Sequence, residues 1–78
     1  MLYKDSKSTD VYLIISKNIK KYRKKARMTQ KDLAQKSGYS YAYIRRLEGP
    51  KCVKSFSVQM VYRLADVLCI DIKQLFEK

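Results

Sequence analysis

The side chains best equipped to bind something are gathered between Tyr39 and Arg46, where three tyrosines at 39, 41 and 43 precede two adjacent arginines, Arg45 and Arg46. A guanidinium is a planar fork of donors that can satisfy two acceptors at once, and a tyrosine offers a hydroxyl beside an apolar ring. That is binding chemistry. Catalytic chemistry is missing from the sequence: it has no His, no Gly-rich phosphate loop and no paired carboxylates at a site. No catalytic residue is expected, and the chain does not read as an enzyme. Without His, Cys52 and Cys69 cannot complete a zinc site. Neither a metal nor a cofactor is expected, and no small-molecule ligand is evident.

Charge points to the class of partner. Lys and Arg number 18 against 7 acids, a formal charge of +11. Residues 1–54 hold 15 cations and 4 acids, whereas residues 55–78 hold 3 of each. The excess is confined to one part of the chain, and a polyanion is the natural partner for it. The longest apolar cluster, Val11 to Ile15, is far shorter than a membrane span, so no membrane partner is expected. With no signal peptide, the two cysteines read as free thiols in a reducing cytoplasm. Cys69, between Leu68 and Ile70, is expected in the core, and Cys52 in a loop.

The elements that must position the binding residues are helices. Thr29 can cap the amide of Asp32 while Asp32 reaches back, a capping box, with Met28 and Leu33 as its hydrophobic staple. Gly38 stands where that helix needs a left-handed residue to end, and Ser40 caps a second helix carrying Ile44 and Leu47 on one face. Two helices joined by so short a Gly-containing turn form a helix-turn-helix. An earlier helix, about Val11 to Ala26, has its apolar stripe at Val11, Ile15, Ile19, Tyr22 and Ala26, with lysines outside. Gly49 and Pro50 stop the helix that follows Ser40. Ser57 caps a fourth, lined by Val58, Val61, Leu64, Ala65 and Leu68, with Phe56 and Val61 as staple. Asp71 and Gln74 form a second capping box on a final short helix. The reading is all-α: a frayed arm over residues 1–10, then one compact five-helix domain over residues 11–78, with the helix-turn-helix at helices 2 and 3.

These residues resemble the lambda-repressor-like (Cro and phage repressor, XRE-type) helix-turn-helix family. The resemblance is carried by Ile15, Ile19 and Arg23, then Thr29, Gln30, Leu33, Ala34 and Gly38, then Ser40, Ile44, Leu47 and Glu48. It continues through Leu64, Ala65, Leu68, Ile70, Leu75 and Phe76. The residues opening the second helix of the motif are thereby implied to face base edges: Ser40, Tyr41, Ala42 and Arg46. Gln30 is implied to hold a phosphate, and Arg23 with Glu48 to form a structural ion pair. Arg46 is the best base reader on chemical grounds, bonding O6 and N7 of guanine together, with a phosphate contact as its alternative. Arg45 meets phosphate or water. Tyr39 is expected in the core against Ile44, while Tyr41 and Tyr43 are expected to be exposed, Tyr43 toward phosphate. Lys51 and Lys54 sit in a loop about two residues longer than the family's usual connection and reach toward phosphate. The expected function is sequence-specific binding of double-stranded DNA by a small regulator, a repressor acting by operator occupancy, from a prokaryote, phage or mobile element. A weak homodimer is expected, formed through the neutral C-terminal end. The alternative is a protein-interaction or RNA-binding adaptor on the same helical fold.

Overall fold

The computed structural model describes residues 11–49 and 57–78. It is all-α over those residues, with α1 (Val11–Lys25), α2 (Gln30–Ser37), α3 (Tyr41–Glu48), α4 (Val58–Val67) and a C-terminal 3-10 segment (Ile72–Phe76). Four α-helices and a 3-10 turn thus stand where five helices were expected. The last segment is closed by i+3 bonds such as Gln74 N–H to Asp71 O at 2.9 Å, the tighter winding that occurs in short pieces of this kind. The residues predicted to start helices do so. Thr29 Oγ1 accepts from Asp32 N–H at 3.0 Å while Asp32 Oδ2 accepts from Thr29 N–H at 2.9 Å. Ser40 and Ser57 cap α3 and α4, and Asp71 with Gln74 forms the second capping box.

The core is one cluster built by all five elements, centred on Ile19, Leu33, Ile44, Leu47, Leu64 and Leu75, each wholly buried. At about 1.5–3 kcal/mol for each fully buried aliphatic side chain, this cluster is the main opposing term to chain entropy in so small a domain. Three residues assigned to apolar stripes lie outside it. Val11 is exposed at the first position of α1, and Ala26 follows the last helical residue into a turn. Val58 is 80% exposed, because α4 centres its buried stripe on Leu64 and Leu68 and brings Met60 inward at its start.

Polar groups then tie α1 to the C-terminal segment. Asn18, buried in α1, donates through Nδ2 to the carbonyls of Leu75 and Glu77, both at 2.8 Å, and Tyr22 Oη donates to Glu77 Oε1 at 2.8 Å. These bonds dock the 3-10 segment on α1. Cys69 is exposed, correcting its expected place in the core. It occupies the left-handed position after α4, with φ 58°, while Ile70 N–H bonds Ala65 O at 3.0 Å across it. In such a helix ending the left-handed residue turns outward and its neighbours carry the packing. Arg27 closes α1 the same way, at φ 60° with Met28 N–H on Arg23 O at 3.1 Å. The expectations for the arm, Pro50, Cys52 and Phe56 fall outside the described residues.

Candidate nucleic-acid interface

The turn between α2 and α3 sets the site. Gly38 ends α2 at φ 85°, and its N–H bonds Ala34 O. A Cβ there would meet nothing closer than Arg63 Nη1 at 3.8 Å, so the left-handed backbone, not crowding, is what calls for glycine. Ser37 is buried; its hydroxyl donates to Ala34 O and accepts from Tyr39 N–H. Arg63 reaches across from α4, donating to Ser37 O at 3.1 Å with its guanidinium 5.7 Å from the Tyr39 ring centre. Sequence alone gives Arg63 no role; its only mark there is that it is the lone cation of α4.

On α3 the helix surface divides cleanly. Ile44 and Leu47 are wholly buried, and Ser40, Tyr41, Ala42, Arg45 and Arg46 are exposed. Tyr39 is half-buried against the core. Tyr43 is half-buried too, where exposure was expected, because its ring packs 5.3 Å from that of Tyr39. Burial, then the neighbouring Tyr39, push the Tyr43 phenol above its ordinary 10.0, with Arg46 opposing. It stays a neutral hydroxyl that can donate to an anion. Tyr41 lies between cations: Lys31 Nζ is 5.4 Å and the Arg45 guanidinium 5.7 Å from its ring centre. Such contacts hold both cations beside the start of the helix. This arrangement was not foreseen, since Lys31 comes from α2 and meets Tyr41 only across the turn.

The far end of α3 is anchored to α1. Arg23 Nε donates to Glu48 Oε2 at 2.8 Å and Nη2 to Oε1 at 3.0 Å, while Nη1 donates to Met28 O at 2.7 Å. Glu48 as a residue is half-buried because its backbone ends the helix, but its side chain is only 2% exposed. Gln30, the first residue of α2, is half-buried and donates to Glu48 Oε1 at 3.1 Å. Its amide is thereby held beside a crevice lined by Arg23, Thr29, Lys31 and Tyr41. Ser16 adds a buried hydroxyl bond from α1 to Leu47 O. Lys51 and Lys54 lie outside the described residues. Among the described residues there is no cluster of His, Cys, Asp or Glu suited to a metal ion, and no helix is long and apolar enough to cross a membrane.

Two capped helices about a left-handed glycine, the second with a polar face outward and an apolar face wholly buried, define a helix-turn-helix domain. The family model described as Helix-turn-helix matches residues 19–75, well over half of the chain. The chain belongs to that family, the lambda-repressor-like, XRE-type class of DNA-binding regulatory domains. No match was found among curated proteins or solved structures.

Proposed function

We propose that this chain binds double-stranded DNA at a specific sequence and represses transcription by occupying an operator. The observation that carries the proposal is the outward row on α3, Ser40, Tyr41, Ala42, Arg45 and Arg46, exposed along a helix whose other face is locked into the core. Such a helix fits a major groove. Ser40, Tyr41, Ala42 and Arg46 face base edges, with Arg46 on guanine. Gln30, Tyr43 and Arg45 take backbone phosphates, joined by Lys51 and Lys54. The charge supports this reading: residues 11–49 carry eleven cations, and their two acids are committed, Asp32 to its capping box and Glu48 to Arg23. The protein acts in the cytoplasm.

A second copy joins weakly through the neutral C-terminal third, which leaves Tyr62 and Phe76 exposed. Two recognition helices then enter successive major grooves about 34 Å apart on a near-palindromic site. Selecting duplexes from a random pool tests both statements. Enrichment of a palindromic motif is expected. A pool without enrichment would defeat the DNA reading and leave the adaptor, and an asymmetric motif bound by one copy would defeat the dimer.

A further inference from the structure

One face of α1 is left unused by the helix-turn-helix. Lys17, Lys20 and Lys24 recur at spacings of three and four, which puts them on one stripe of the helix. All three are exposed, and together with Lys21, Leu13, Glu48 and Gly49 they line a shallow groove beside the end of the recognition helix. The carboxylate in that lining does not neutralise them, since Glu48 is engaged by Arg23 and Gln30 and its side chain is 2% exposed. Among the described residues no ion pair reaches any of the three lysines. Like charges three and four apart destabilise a helix, and a polyanion would relieve that repulsion.

The groove also has a direction. Arg23 lines the crevice at Thr29 and Gln30, and its partner Glu48 lines the lysine groove, so the two depressions flank one buried ion pair. From Lys17 to Lys24 the helix rises about 10 Å, enough to spread the three ammonium groups over neighbouring phosphates of one strand.

We infer that this α1 groove is a second backbone track, holding sugar–phosphate of the same duplex just outside the segment met by α3. The inference rests on the DNA-binding reading. The test uses the variant Lys17→Gln, Lys20→Gln, Lys24→Gln against a control, Lys25→Gln, Lys36→Gln, Lys73→Gln, which removes the same charge elsewhere. Glutamine nearly matches lysine in helix propensity. Affinity is measured against salt on the selected site within a long duplex and on the site trimmed of its flanks.

Each neutralised phosphate contributes about 0.9 to the slope of log affinity against log salt. The groove variant should therefore lose about 2 to 3 from that slope on the long duplex, lose nothing on the trimmed one, and keep the same base preference. The control should lose less than about 1. A groove variant matching wild type or control on the long duplex, or losing slope equally on both, overturns the inference while the DNA-binding reading stands. A wild-type chain that selects no duplex overturns both. Melting curves accompany the assay, and if the triple variant is unfolded the three single substitutions replace it, each expected to remove about 0.9.

Discussion

Replacing Arg23 by Ala should cost this domain a large part of its stability. The guanidinium makes two bonds to Glu48, at 2.8 and 3.0 Å, and one to Met28 O at 2.7 Å. Its removal leaves a carboxylate whose side chain is 2% exposed facing only the Gln30 amide. Stranding one charge of a buried pair typically costs about 3–5 kcal/mol. A chain of 78 residues has about 4–12 kcal/mol in all, so the variant should be marginal at 37 °C. At about 4–8 °C per kcal/mol, its melting temperature should fall by at least about 12 °C. Lys24→Ala, one residue on and exposed, should stay within about 0.5 kcal/mol of wild type. Thermal unfolding followed by circular dichroism checks both. Arg23→Met with Glu48→Leu should recover much of the loss, since apolar residues of similar size often replace a buried pair without penalty. DNA affinity should not return with it, because Gln30 loses the acceptor that fixes its amide. Equal melting of Arg23→Ala and Lys24→Ala would refute this account of the pair.

Arg46→Ala should lose about 1–3 kcal/mol of binding to the selected site and relax preference at one guanine, read by competition with single-base variants. A uniform loss across sequences would reassign it to phosphate. Cys69→Gly should raise stability by about 0.5–1 kcal/mol, since the left-handed conformation costs other residues about 1–2 kcal/mol and glycine's extra freedom unfolded returns part of that; an unchanged or lower melting point would count against it. Asp32 has its carboxyl held below the ordinary 3.8 by the bonds from Thr29, backbone first and side chain second. Its capping contribution should be fully present above that ordinary value and be lost as pH falls through the lowered one. Asp32→Asn should melt with a shallower acid dependence than wild type, and identical acid limbs would remove Asp32 from that role.

Local chemistry was legible in the sequence because it is written within a few residues. Thr29 with Asp32, Ser40, Ser57, and Asp71 with Gln74 each satisfy amides three or fewer positions away, so type and spacing suffice to place the helix starts. Gly38 announced the left-handed break for the same reason. The buried faces of α3 and of the middle of α1 followed from period alone. The family resemblance pointed to Arg23 and Glu48, whose contact lies 25 residues apart in sequence. The tertiary structure decided the rest, wherever the partner is distant or the end of an element matters. Cys69 and Arg27 show no local mark of a left-handed residue; their place follows from where α4 and α1 stop against their neighbours. On α4 the stripe of Val61, Leu64, Ala65 and Leu68 is buried as its period implies, but at the first turn Met60, four residues before Leu64, takes the inward place that Val58 was given. Tyr43 was drawn inward by Tyr39, and Lys31 met Tyr41 across a turn. Asn18 bonds carbonyls more than fifty residues away. Spacing along the chain cannot encode such contacts, because they depend on how separate helices pack.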